Sequence, residues 1–194
     1  MDYLCECNND RDRREALKKL PPDLPSSYER ILERVNRSTR ENQELVKKTL
    51  HWIVYAAESI STKQLLQALA VRDGEKLFDP TSMTTEDDIL HWCSSLVRKR
   101  ASSNGLELAH FTVKEFLVAI DPAQKPCFQH YSLSGEHTVL AKACLGFLAC
   151  RKFGESPVPK IEDGIEEFWE PFGNDYCFIR YSSLHWSYHV HNST

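Results

Sequence analysis

Residues 106–120 read Leu-Glu-Leu-Ala-His-Phe-Thr-Val-Lys-Glu-Phe-Leu-Val-Ala-Ile, and this stretch decides the predicted fold. Its first part alternates in hydrophobicity, which predicts a short strand that ends at His110. A helix is expected to follow at once, because Thr112 and Glu115 have the T-x-x-E spacing of a capping box. The core-facing stripe of that helix has helical spacing and comprises Val113, Phe116, Leu117 and Ile120. His110 would therefore lie at a strand-to-helix corner, where its side chain can point out of the fold.

A two-stranded β-wing is expected immediately before this corner. The dipeptide Asn104-Gly105 favours a two-residue hairpin turn of type I′. The partner strand is predicted over residues 96–100, so that it pairs with the strand ending at His110.

Three amphipathic helices are predicted upstream of the wing. The first spans about residues 41–57, with Trp52 and Tyr55 beside a buried stripe made of Val46, Leu50, Ile53 and Ala57. Ser61 and Gln64 have the capping-box spacing at the start of the second helix, and Thr85 caps the third. Three helices followed by a wing is the order of a winged helix. We therefore predict a mainly α protein, with a winged-helix domain of three helices plus a β-hairpin wing, flanked by helical segments.

The predicted domain plan has three parts: a helical segment over 1–40, the winged-helix domain over 41–120, and a helical linker over 121–194. Residues 121–129 contain two prolines and are expected to be a linker. The last predicted helix, about 175–190, is rich in aromatic residues. Its candidate partner-interface residues are Trp186, Tyr188 and His189.

Composition narrows the class of protein. The chain has 194 residues and a net charge of −4, which disfavours a nucleic-acid surface because phosphate binding needs a basic footprint. No run of about 18 apolar residues predicts a membrane span, and the first residues do not read as a secretory leader. The seven cysteines are an odd number, and several lie in apolar helical patterns. They fit reduced, buried thiols such as Cys93 and Cys144, and we expect a cytoplasmic protein.

Seven segments of the sequence share the pattern of one known family, and the sharpest is His-Phe-Thr-Val-Lys-Glu-Phe-Leu over residues 110–117. The others, in chain order, lie at 13–17, 20–24, 27–32, 61–69, 93–97 and 181–189. Together they resemble fungal NACHT-type STAND NTPases, in the region between the nucleotide-binding module and the C-terminal repeats. The segment at 181–189 resembles the helical junction that leads to ankyrin-type or WD-type repeats.

The resemblance implies a non-catalytic regulatory module. The sequence has no G-x-x-x-x-G-K-[ST] motif, so ADP or ATP would be bound by a NACHT core outside this chain, and no cofactor or catalytic residue is expected within it. In the resting state of this class, a histidine at the strand-to-helix corner reaches the ADP β-phosphate, and His110 is the matching position. The implied partners are the NACHT domain, the C-terminal repeats and other proteins, with no membrane.

Two other readings remain. The third helix would be the recognition helix of a winged-helix nucleic-acid binder, with Arg98, Lys99 and Arg100 on phosphate, but its first turn, 86–88, is acidic. His185, His189 and His191 with Cys177 suggest zinc, but Cys177 has no nearby cysteine partner, and aromatic packing explains these residues better. We therefore expect no metal site.

Overall fold

The helix Arg40–Tyr55 lies at the centre of the computed structural model, which describes residues 24–72, 74, 78–101, 103–133, 137–150 and 176–193. In those residues the elements are α1 (Leu24–Asn36), α2 (Arg40–Tyr55), α3 (Thr62–Ala70), α4 (Glu86–Cys93), β1 (Val97–Lys99), β2 (Leu106–Leu108), α5 (Phe111–Val118), α6 (Thr138–Leu148) and α7 (Phe178–His191). Short 3-10 turns span Pro80–Ser82, Ser94–Leu96 and Pro126–Tyr131. Residues 1–23 of the predicted helical segment 1–40 and residues 151–175 of the predicted helical linker 121–194 lie outside the described residues.

Helices α2, α3 and α4 and the hairpin β1–β2 form the predicted winged helix. Helix α2 contacts α3, α4 and β2, because its buried face is apolar. The two strands are antiparallel, with Val97 opposite Leu108 and Lys99 opposite Leu106. Helix α5 then returns across α1 and β2. Its predicted stripe is confirmed as buried, and comprises Val113, Phe116, Leu117 and Ile120.

The predicted starts of α3 and α4 are confirmed in atomic detail. The Ser61 hydroxyl accepts from the Gln64 backbone N–H, and the Gln64 side chain accepts from the Ser61 backbone N–H at 3.0 Å. Thr85 and Asp88 make the same reciprocal pair at the start of α4. Both boxes satisfy backbone donors that have no partner within the helix.

We expect Ser61→Ala to lower the free energy of unfolding by about 1 kcal/mol, because α3 loses its N-cap acceptor. Urea titration followed by circular dichroism measures the change. Ser95, an exposed residue in the 3-10 turn after α4, provides the control, since Ser95→Ala should shift stability by no more than about 0.5 kcal/mol. Equal losses in the two variants would contradict the assignment of the cap.

The predicted type I′ turn at Asn104-Gly105 is wrong. Among the described residues, positive φ occurs only at Ser94 and Gly74, so neither Asn104 nor Gly105 has the left-handed backbone that this turn requires. Lys99 pairs with Leu106, so the connection between the strands is longer than two residues. It contacts the start of α3, where Thr62 N–H donates to the Asn104 carbonyl at 3.0 Å. A Cβ at position 105 would lie 3.0 Å from the Ile60 carbonyl oxygen, so glycine serves a close backbone approach.

The predicted capping box of Thr112 and Glu115 is also wrong. Helix α5 begins one residue after His110, which is the N-cap, and the His110 side chain accepts from the Thr112 backbone N–H. The T-x-x-E pattern predicted a helix start in the right region, but the predicted N-cap, Thr112, lies two residues after the observed one, His110. The imidazole supplies the acceptor that the threonine hydroxyl was expected to supply.

Helices α6 and α7 form a second layer against α2 and α3. Trp52 was expected beside the buried stripe of α2, but it is 0% exposed. Its ring meets Phe178 and Tyr181 of α7 edge-on, each at 5.4 Å between ring centroids. Helix α2 therefore has two buried faces, because it lies between the winged-helix core and the α6–α7 layer.

Residues 126–131, part of which was expected to be a linker, are packed against the core. Phe128 and Tyr131 of the turn Pro126–Tyr131 are buried, and Tyr131 OH donates to the Asn36 side-chain oxygen at 2.8 Å. The buried apolar residues form one continuous cluster from α1 to α7. The domain bounds 1–40, 41–120 and 121–194 stay a prediction.

Candidate functional site

The His110 side chain is exposed at the corner between β2 and α5. Its Nδ1 lies 2.9 Å from the Thr112 hydroxyl oxygen and accepts from the Thr112 backbone N–H at 3.4 Å. The backbone of His110 is extended (φ −153°, ψ 154°), as an N-cap residue requires. One edge of the imidazole is therefore held by the helix start, and the edge that carries Nε2 is the one left for another group.

An exposed aromatic ring accompanies the imidazole. Phe111 follows His110 in the chain, and its side chain is 67% exposed. The two ring centroids are 4.3 Å apart, with an angle of 39° between the ring planes. A single exposed ring is common on protein surfaces and does not by itself mark an interface.

A buried tyrosine supports this corner from behind, and the sequence analysis missed it. The Tyr28 hydroxyl lies 2.8 Å from the Thr112 hydroxyl, and the Tyr28 ring packs 5.4 Å from the ring of Phe116. The helical spacing of α1 signals that Tyr28 is buried. No local pattern gives its partner, which lies 84 positions away in the chain.

The three cations of the basic run in the wing share two carboxylates of the same chain. Glu107 pairs with Arg98 at 2.9 Å and with Arg100 at 3.5 Å, while Lys99 pairs with Glu86 at 2.5 Å. The hydrogen bond and the charge of Glu86 raise the pKa of Lys99. These ion pairs use the acidic first turn of α4 as a partner for the wing, which leaves less positive charge for phosphate.

The three candidate interface residues of α7 differ in their exposure to solvent. Trp186 and Tyr188 are 40% and 47% exposed, whereas His189 is 0% exposed. His189 therefore does not lie on a surface, and its prediction as an interface residue is corrected. Its Nε2 lies 2.9 Å from the Tyr181 hydroxyl, and its Nδ1 lies 2.9 Å from Nδ1 of His137.

Burial dominates the electrostatics of this inner cluster. Burial, together with the smaller effects of the charges of His137 and His185, lowers the pKa of His189 to about 4. Burial also lowers the pKa of His137. Both histidines are therefore neutral at pH 7, and the hydrogen-bonded row from Tyr181 to His137 is a structural element of the α6–α7 layer.

The thiols of Cys93 and Cys144 are buried, as predicted. Burial raises the pKa of each to about 12, so neither is a thiolate at neutral pH.

Within the described ranges, no three His, Cys, Asp or Glu side chains converge as a metal site would require. None of the described helices has the length and apolar character needed to cross a membrane.

Comparison with known proteins supports the winged-helix fold. Residues 32–125 match a family model described as the winged helix domain of GPI inositol-deacylase. No curated protein and no solved structure matches the chain. The matched range includes α2 to α5 with the wing between them, so this protein contains a winged-helix domain.

Proposed function

We propose that this chain is a non-catalytic regulatory and scaffolding module of a NACHT-type STAND NTPase. In that role it couples the nucleotide state of a neighbouring NACHT core to a downstream repeat sensor, in the cytoplasm. The observation that carries the proposal is His110, an exposed imidazole fixed at the strand-to-helix corner of a winged helix.

The chemistry of the corner suits a phosphate. An imidazole N–H donates a hydrogen bond, and such a bond to an anion is stronger than one between neutral groups. Nδ1 is occupied by the start of α5, so Nε2 is the nitrogen that would face the β-phosphate of ADP. Phe111 and the exposed Val118 of the same helix provide apolar surface for the protein wall around that phosphate.

Loss of the phosphate contact would let the winged helix leave the nucleotide core, which is a rigid-body domain switch. The proposed repeats would then move together with the α6–α7 layer. Trp186 and Tyr188, exposed on α7, are the residues proposed to meet them or another protein partner.

A non-catalytic role fits the contacts of His110. General bases in hydrolytic sites are typically oriented by a carboxylate and lie beside a nucleophile. The hydrogen-bond partners of His110 in the described residues are the hydroxyl and backbone N–H of Thr112, which form a helix cap. These contacts fix the ring at the start of the helix, and they support the proposed binding role of His110.

The proposal is tested by ADP retention in the protein expressed from the full reading frame with its nucleotide core. We expect His110→Ala to speed ADP release about 10- to 100-fold, the effect of losing one hydrogen bond to a charged group. His110→Asn is the matched variant, because asparagine keeps an N-cap acceptor for α5 but lacks the reach of an imidazole. Both variants should release ADP quickly, and unchanged retention in both would overturn the proposal.

The nucleic-acid alternative gains no better support from the structure. A titration with duplex DNA at low and moderate salt distinguishes it, and we expect no steep, salt-sensitive binding, because Arg98, Lys99 and Arg100 are already paired. Glu107→Gln should raise DNA affinity slightly by releasing two of these cations. Tight binding by the unmodified chain that weakens steeply with salt would favour the alternative.

A further inference from the structure

We infer that Tyr28 and Thr112 are positioning residues that hold His110 in the neutral tautomer with its proton on Nε2. The inference rests on the proposed function, since it assigns to these two residues the task of aiming one N–H at the anion. The observation behind it is a row of three polar groups. Tyr28 OH lies 2.8 Å from the Thr112 hydroxyl, which lies 2.9 Å from Nδ1 of His110.

The direction of the hydrogen bonds follows from the backbone. The Thr112 N–H points at Nδ1 of His110, and a backbone N–H can only donate. Nδ1 must therefore be an acceptor, and in a neutral imidazole the proton then lies on Nε2. The Thr112 hydroxyl donates its single proton to the same Nδ1, and so it accepts from Tyr28. The opposite direction would place a protonated Nδ1 against the Thr112 N–H.

Burial makes Tyr28 a firm anchor for this row. The Tyr28 side chain is buried, and its ring contacts Phe116 on the inner face of α5. The phenol therefore has little freedom to turn its hydroxyl away from Thr112. On the outer side, the Phe111 ring packs on the imidazole and limits its rotation. The imidazole is held through Nδ1 and by one ring contact, while Nε2–H stays available.

The consequence is a preorganised donor. A free histidine divides its proton between two nitrogens and samples several rotamers, so binding must select one state. At this corner, both the tautomer and the orientation are set before any ligand arrives. Preorganisation of this kind raises affinity by lowering the ordering cost of binding.

The tautomer is measured directly by ¹⁵N NMR of the histidine side chains in this chain, at a pH where the imidazole is neutral. We expect Nδ1 of His110 to resonate as an unprotonated nitrogen and Nε2 as a protonated one. Thr112→Val removes the hydroxyl but keeps the shape and the backbone N–H, and should shift the tautomer ratio about fivefold toward Nδ1–H. Thr112→Ser restores a hydroxyl and should restore the ratio.

Tyr28→Phe provides a second variant that keeps the buried ring, and it should shift the ratio in the same direction by less. A wild-type spectrum with the proton on Nδ1 would overturn the inference. So would a ratio unchanged in both Thr112→Val and Tyr28→Phe, with circular dichroism showing that both remain folded. If Thr112→Val fails to fold, the tautomer ratio of Tyr28→Phe is compared with that of Thr112→Ser. Equal ratios in these two variants would then overturn the inference.

These outcomes are separate from those of the proposed function. The NMR signal belongs to this chain alone and needs no nucleotide. If the tautomer ratio changes as expected in the Thr112 and Tyr28 variants but His110→Ala retains ADP as the wild type does, the proposed function is contradicted. The positioning roles of Tyr28 and Thr112 then still stand. Rapid ADP release by His110→Ala, with no change of the tautomer ratio in either Thr112→Val or Tyr28→Phe, would contradict only the positioning roles.

Discussion

Replacing Trp52 by alanine is expected to lower the free energy of unfolding by about 3–5 kcal/mol, the largest effect of any single substitution proposed for this chain. Trp52 is fully buried, and its ring contacts Phe178, Tyr181 and His189 of α7. Its indole N–H has no hydrogen-bond partner in the described part of the chain, so the loss is one of packing. A domain of this size is typically stable by about 5–15 kcal/mol, so the variant should be close to unfolding.

Urea titration followed by circular dichroism measures the change, and Trp186→Ala is the matched control. Trp186 lies on α7, against which Trp52 packs, but it is 40% exposed. Its removal should lower stability by about 1 kcal/mol at most. Similar losses in the two variants would mean that the α6–α7 layer does not pack on α2 as described.

Acidification from pH 7 to pH 4 is expected to lower the free energy of unfolding by about 3 kcal/mol through His189. Burial is the main cause that lowers its folded-state pKa to about 4, from an ordinary value of 6.5. Between these two values the unfolded chain binds more protons than the folded chain. Stability is therefore fully present above pH 6.5 and is lost as the pH falls toward 4.

His137 acts in the same direction, because burial lowers its pKa as well. A proton on His189 would also place a positive charge 2.9 Å from a second imidazole. Asp88 and Asp79 have pKa values lowered by hydrogen bonds from Thr85 and Thr81. Their protonation lowers the free energy of unfolding further, at pH values below those at which the histidines titrate.

Chemical denaturation at a series of pH values isolates the histidine contribution. His189→Gln removes the titrating group but keeps a side chain that can accept from Tyr181, so its stability should fall less between pH 7 and pH 4.5. His191→Gln changes an exposed histidine of the same helix and should keep the wild-type slope. An identical pH dependence in all three proteins would contradict the assignment.

Features set within one helical turn were predictable from the sequence. The Ser61–Gln64 box and the cap at Thr85 depend on residues three positions apart, and both are confirmed. The buried stripe of α5 follows from the helical period alone. Pairing of the wing strands was also predicted and is confirmed, although the Asn-Gly turn on which that prediction rested is wrong.

Features set by distant contacts were not predictable. The sequence Asn-Gly at 104–105 favours a tight turn locally, but the contact with the start of α3 imposes a longer loop. Trp52 and His189 lie far apart in the chain and become buried only because α2 and α7 meet. Aromatic content alone gave no means to tell buried His189 from exposed Tyr188 on one helix.

The sequence predicted where the candidate site lies but not the contacts that hold its residues in place. An alternating segment followed by a helical stripe fixed the corner at His110, and the structure places the imidazole there, exposed. The role of that imidazole as the N-cap was missed, because histidine is not among the residues that usually cap helices. Tyr28 was missed because a buried tyrosine hydroxyl finds its partner through tertiary packing.

Hydrogen exchange at the histidine C2 position, read by mass spectrometry, compares the solvent access of each imidazole. If the proposed NACHT context holds, His110 exchanges quickly in this chain alone and slowly in the ADP-bound protein in which the chain is joined to the proposed NACHT core. Exposed His91 and buried His189 are internal references, expected to stay fast and slow in both. Equal exchange of His110 in the two proteins would contradict the claim that this corner meets the nucleotide core.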